Sequence, residues 1–409
     1  MNSERVPASQ DGRAYGRRDA TSDSVLTQVG PGTPGGELFR RYWLPIAISA
    51  EATTTPREIR RLGETLILFR TTDGQPGLLY PRCMHRGTSL FYGKVEEGGI
   101  RCCYHGWKYD TQGRCLDQPC EPDRGARSKQ HVRQPWYPVI EKYGAIFAYM
   151  GPAEHQPAFP RYSIFENLSD SQEVVSFYPS ANGELGPDPT DFNWFQFWEN
   201  NVDTFHVPIL HAAISGQQFK DDKMKLLPTL EWYKGKSGAS VVADSRRKVP
   251  GMNTVYRRLA EALLPNGAAL PPFKGDGPGT EIHFAIPLDD THHTILQIER
   301  VDKQNPVRFD AREAIGFGPE KKLWIEMTAE ERQHFPSDYE AQRGQGQITL
   351  HSEEHLGRTD IGLVMLRRLF KEQCDIVAKG GNPVGVAFTE RDALFPVMSA
   401  SALEPEVAL

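Results

Sequence analysis

Two short patterns, Cys83-x-His85 and Cys102-x-x-His105, stand sixteen residues apart in this 409-residue chain. They constrain the fold more than any other feature, because four ligands from two segments must meet at one point. Two Cys and two His suit either tetrahedral zinc or a [2Fe–2S] cluster with two Cys on one iron and two His on the other. Zinc fingers usually present Cys with Cys and His with His, whereas here each segment supplies one of each. That arrangement fits a cluster gripped between two similar loops, each reaching both irons. Gly87 and Gly106 follow the histidines closely, where backbone N–H groups can approach the sulfides. A ligand at Cys103 would turn Cys-x-x-His into Cys-x-His, so Cys102 is the expected ligand and Cys103 a buried, non-ligating thiol.

Five of the six cysteines fall between 83 and 120. The stretch Met1–Asp23 is polar, holds four arginines and has no apolar core of a secretory signal. A cytoplasmic metal protein is therefore expected, with Cys115 and Cys120 as free thiols. The net charge of −6 argues against a nucleic-acid surface, and no run of 18 apolar residues suggests a membrane span. Gly30-Pro31-Gly32-Thr33-Pro34-Gly35 matches G-x-G-x-x-G formally, but Pro31 and Pro34 lack the N–H groups that a pyrophosphate would need. It reads as a turn before a short helix, Glu37–Trp43, and the chain has no NADH or flavin site of its own.

The layout is α+β. A polar lead-in, 1–24, is expected to be disordered, followed by an opening segment, 25–44. Residues 45–151 are β-rich, with strands at Thr65–Phe69, Gly77–Tyr80 and Ala145–Met150 and a turn at Asp73-Gly74. Gly151–Pro160 reads as a linker, and 152–409 as a second domain. That domain has an aromatic-rich helical stretch, Phe192–Ala213, strands at Glu281–Ile286 and Thr294–Ile298, and an amphipathic helix, Ile361–Lys379, that stops at Gly380-Gly381.

The helical stretch carries a second constellation, Asn200-x-x-Asp203-x-x-His206-x₄-His211. Asp203 and His206 share a helix face, whereas His206 and His211, five apart, fall on different faces at 3.6 residues per turn. A bulge would bring them together. Pro208 supplies a cause, since it removes the N–H that would bond Thr204.

The first pattern, completed by His105-Gly106-Trp107, resembles the signature of Rieske proteins. With the second it resembles the Rieske non-haem iron oxygenases over about Leu26–Phe388. The segment Gly30–Pro45 and the turn Ile286–Thr291 look like the phthalate dioxygenase family among them. The resemblance implies a β-rich Rieske [2Fe–2S] domain and a helix-grip (START-like) catalytic domain with an antiparallel sheet. It implies one cluster per chain on Cys83, His85, Cys102 and His105. It also implies one mononuclear Fe(II) on His206, His211 and a carboxylate, leaving a face of the iron open for O₂. Asp360, opening the C-terminal helix, is the expected carboxylate, with Glu353 and Glu354 as competitors; capping the helix suits Asp360 equally.

Asp203 is implied as the bridge between His206 and a neighbouring subunit's copy of His105, hence a head-to-tail homotrimer. Asn200 is implied near the iron, though capping the bulged helix suits it as well. Electrons would come from an NADH-dependent reductase, a ferredoxin or both. The substrate would be an aromatic or two-ring carboxylate, phenoxybenzoate- or phthalate-like, with O-demethylation of a methoxylated acid as the alternative. Arg257, Arg258 and Lys274 are candidate anchors for its carboxylate, in a pocket built from Val255–Phe273 and Glu281–Ile298. Two other classes remain open: a Rieske electron carrier with a non-catalytic binding domain, and a zinc-stabilised interaction protein.

Overall fold

The expected strand runs fold as strands, and their pairing explains the positions of the ligand-bearing loops. The computed structural model describes residues 19–216, 218, 221–272, 275–304 and 316–406. Three small antiparallel sheets build the first half. One sets Ala145–Tyr149 between Trp43–Ile48 and Val139–Lys142. The second runs Arg57–Arg61, Glu64–Arg70, Pro76–Leu79, Trp136–Tyr137, with Asp73-Gly74 in the expected turn. The third runs Lys94–Glu96, Gly99–Arg101, Lys108–Tyr109, Cys115–Asp117 and shares a small core with the second through Phe69, Leu79, Leu90, Ile100 and Tyr109.

The second half is a nine-stranded antiparallel sheet. Its main path is Gln172–Phe177, His293–Asp302, Glu281–Pro287, Gly267–Leu270, Thr254–Leu263, Ser240–Lys248, Thr229–Lys234. The helix Ile361–Ala378 packs against it through Leu366, Leu369, Phe370, Cys374 and Val377, which recur at helical spacing. Gly362 permits the contact, because a Cβ there would meet the Trp232 indole nitrogen at 2.1 Å. The fold class is thus α+β, as expected, with a sheet wrapped on one long helix.

The opening segment differs from expectation. Its helix is Pro34–Phe39, not Glu37–Trp43: Thr33 caps it by accepting the Gly36 N–H at 3.1 Å, Pro34 occupies the first turn, and Trp43 already starts a strand. Residues 1–18 of the lead-in lie outside the described residues. Thr21 and Asp23 are held, their N–H groups donating to Ser352 Oγ and His351 Nδ1.

Phe39, Trp194 and Phe370 join the opening helix, the helix Trp194–Asn200 and the C-terminal helix, with ring centroids 4.8 Å (Phe39–Trp194) and 5.7 Å (Trp194–Phe370) apart. An ion-pair network reinforces the junction. Arg367 donates to both Glu199 oxygens at 2.8 Å and to the Glu354 oxygens at 2.6 and 2.8 Å. Removing one member of a buried network strands the other charges. Arg367→Met is therefore expected to lower unfolding free energy by about 3–5 kcal/mol in urea titrations; a loss under about 1 kcal/mol would show the network to be dispensable.

Candidate metal centres and the active-site cavity

The two cysteine loops are copies of one local design. In the first, Cys83 N–H donates to Thr88 O and Gly87 N–H to Cys83 O, at 2.9 and 2.8 Å. In the second, Cys102 N–H donates to Trp107 O and Gly106 N–H to Cys102 O, at 2.8 and 3.1 Å. Each turn needs a positive φ at its fourth step past the cysteine, supplied by Gly87 (78°) and Gly106 (74°). Gln134, fully buried, holds the first loop by accepting from Met84 N–H and donating to Tyr80 O and Arg82 O.

The loops bring the four expected ligands together. The Cys83 and Cys102 thiols share a hydrogen bond, which with the Tyr109 hydroxyl at 3.2 Å holds Cys83 down at about 5, against the burial that opposes it; Cys102 is pushed well up. The His85 and His105 rings lie 4.5 Å apart at the half-exposed tip, and His85 stacks flat on Trp107. Two buried thiols in contact and two outward histidines, one of each per loop, fit a cluster with one all-thiolate and one all-imidazole iron. Cys103 is exposed rather than buried, because the turn directs Cys102 inward and its neighbour outward. Cys115 and Cys120 are free thiols.

The second constellation forms by the bulge that its spacing demands. Val207–Ile214 is a π-helix, with Pro208 in its first turn. The wider i→i+5 winding stacks residues five apart, so His206 and His211 face each other with ring centroids 5.1 Å apart. Their Nδ1 atoms are engaged elsewhere, His206 with Asp203 O and His211 with Gln218 Oε1, both at 2.5 Å. The Nε2 atoms are thereby oriented toward one carboxylate.

That carboxylate is Asp338, not Asp360. Asp338 Oδ1 lies 3.6 Å from His206 Nε2, and Oδ2 lies 3.2 Å from His211 Nε2. His206, His211 and Asp338 form a group with metal-ligand spacing. Desolvation opposes ionisation of Asp338, but His211, His206 and the Asn200 amide outweigh it and hold its carboxyl well below the usual range. Burial likewise opposes charge on His206, yet Asp203 and Asp338 raise its pKa. Asp360 instead accepts the Gly357 N–H at 2.6 Å, closing the short turn Arg358–Asp360, and makes no side-chain cap bond to the helix that it opens. Glu354 is held by Arg367.

Asp203 sits beside His206 as expected, with one difference: the short bond is to its main-chain oxygen, and its carboxylate Oδ2 stands 3.7 Å from Nδ1. Asn200 is inside the site, its Nδ2 3.3 Å from Asp338 Oδ1 and 3.5 Å from His206 Nε2. Sequence reasoning missed Asp338 and Gln218. A signal for Asp338 existed: Ser337 and Glu340 form a capping box that places it in a helix's first turn.

These groups open into a cavity of about 240 Å³ with Phe192, Phe197, Leu270 and Ile295 among its walls. Fully buried His293 also lines it, its Nδ1–H donating to Phe192 O at 2.9 Å; burial lowers its pKa to about 4, so it is neutral at pH 7. Of the candidate anchors, Arg258 lines the cavity, Arg257 is held by Asp244 and Glu404 on the other face, and Lys274, like Phe273, lies outside the described residues.

Residues 42–141 match the Rieske [2Fe-2S] domain. Over 404 residues the chain is 45% identical to phenoxybenzoate dioxygenase subunit alpha of Ectopseudomonas oleovorans, covering 97% of this chain and 95% of that one. The chain belongs to the Rieske oxygenases. Other Rieske oxygenase subunits are similar across most of their length. The tert-butanol monooxygenase / tert-amyl alcohol desaturase subunit of Aquincola tertiaricarbonis is 34% identical, covering 91% of this chain and 82% of that one. Dicamba monooxygenase bound to dicamba has the same fold (TM-score 0.59, 18% identity, 83% of this chain and 99% of that one). As a Rieske oxygenase the protein is an oxidoreductase, and residues 42–141 are its Rieske [2Fe–2S] domain. Among the described residues no helix is long and apolar enough to cross a membrane.

Proposed function

We propose that this Rieske oxygenase hydroxylates an aromatic acid, one with two rings such as a phenoxybenzoate, using a mononuclear iron on His206, His211 and Asp338. The observation that carries the reading is the convergence of two Nε2 atoms and one carboxylate at the wall of a largely apolar cavity. That donor set suits ferrous iron with open positions. When bound, the cluster on Cys83, His85, Cys102 and His105 supplies single electrons and the iron activates O₂.

The chain's own groups do the rest. Asp203 and Gln218 fix the two imidazoles through Nδ1 so that Nε2 can ligate. Asn200 holds Asp338 by an amide hydrogen bond. Phe192, Phe197 and Ile295 bind the ring system and exclude water. Asp203, half-buried beside His206, is the bridge to a neighbouring subunit's cluster in a homotrimer. The exposed Met84 and Tyr104 flanking the cluster ligands support such a docking face. An NADH-driven reductase or ferredoxin in the cytoplasm supplies the electrons. The 45% identity to a phenoxybenzoate dioxygenase subunit supports the substrate class.

The test is a panel of aromatic acids with a generic NADH-driven reductase, scoring substrate-dependent O₂ uptake and products. Hydroxylated product from at least one two-ring acid is expected. NADH oxidation with no oxygenated product from any acid would contradict the proposal.

A further inference from the structure

Arg247 forms part of the cavity wall and has no charged partner among the described residues. It lies on Ser240–Lys248 and is fully buried. Its Nε donates to Leu226 O at 3.1 Å and its Nη1 to Ser245 Oγ at 3.0 Å, while Nη2 has no hydrogen-bond partner among the described residues. The strand's alternation explains this: Arg246 projects to the opposite face, where it and Arg257 hold Asp244. Burial and the neighbouring Arg258 lower the Arg247 pKa only to about 10, so the group stays a cation at pH 7. A buried cation with an unfilled donor is strongly unfavourable unless an anion completes it. Arg258 also lines the cavity and adds positive field, its guanidinium donating to Pro271 O, Pro272 O and the Tyr256 hydroxyl.

We infer that Arg247 receives the substrate's carboxylate and so selects aromatic acids over neutral aromatics of the same shape. This rests on the aromatic-acid reading above and names the residue that sets it. Guanidinium suits the role because its planar donors match a carboxylate.

The test is equilibrium binding to the holoenzyme without reductant, using 3-phenoxybenzoate and its neutral amide as probes. Wild type is expected to prefer the acid by about tenfold or more. Arg247→Gln should weaken the acid by about 10–100-fold and the amide by less than about threefold, and Arg247→Lys should fall between. Unchanged affinity for the acid in Arg247→Gln overturns the anchor alone, as does equal loss of both probes. Should Arg247→Gln not fold, the wild-type comparison decides: equal affinity for acid and amide overturns the inference. A wild type that binds no aromatic acid of the screening panel defeats the substrate reading itself.

Discussion

Asp338→Ala is expected to empty the mononuclear iron site and reduce hydroxylation to background, while the cluster's visible and EPR signals stay intact. The carboxylate faces both Nε2 atoms, and no other carboxylate among the described residues joins that group. A two-histidine remnant holds ferrous iron poorly, because hard oxygen donation and one negative charge are lost together. The cluster loops pack in a separate small core between two other sheets, so they should not respond. Asp360→Ala is the matched control. It removes one hydrogen bond, from Gly357 N–H, at a cost of about 1 kcal/mol, and should leave iron content and turnover unchanged. The reverse result, iron lost in Asp360→Ala and kept in Asp338→Ala, would restore Asp360 as the ligand.

Asp203→Asn should leave both metals in place yet slow coupled turnover by about 10–100-fold or more. The Asp203 main-chain oxygen fixes His206, and that contact survives the substitution. What changes is the carboxylate: Oδ1 accepts the Phe205 N–H, and Oδ2 stands near His206 Nδ1 with its side chain 30% exposed. A second donor can therefore reach it from outside the chain. Single-turnover reoxidation of the reduced cluster is the decisive readout. Reoxidation and product yield at the wild-type rate would remove Asp203 from the electron path.

The two candidate metal sites differ in how far the sequence discloses them. The cluster loops were fully legible, since ligands, glycines and turn bonds lie within six residues of each other. The π-helix was legible for a similar reason, because a five-residue histidine spacing and Pro208 together demand a departure from α geometry. Asp338 was not. It arrives on a short helix far along the chain, and only tertiary packing brings it to His206. Asp360 drew the sequence expectation because an aspartate opening a helix looks the same in sequence whether it ligates, caps or, as here, bonds back to Gly357 N–H. Arg247 was missed because strand alternation gives two faces, and only the closed sheet shows which is interior: Arg247 and Arg258 face the cavity, Arg246 and Arg257 face Asp244. Cys103 failed likewise, since hydrophobic tendency says inside and the turn's geometry says outside.

One chain is expected to hold both an electron store and a separate iron site. Iron and acid-labile sulfide analysis of the purified protein tests it most directly. The expected result is about three irons and about two sulfides per chain. About two irons with about two sulfides, unchanged after incubation with ferrous iron, would mean a cluster without the second iron and would rule out a mononuclear site on His206, His211 and Asp338.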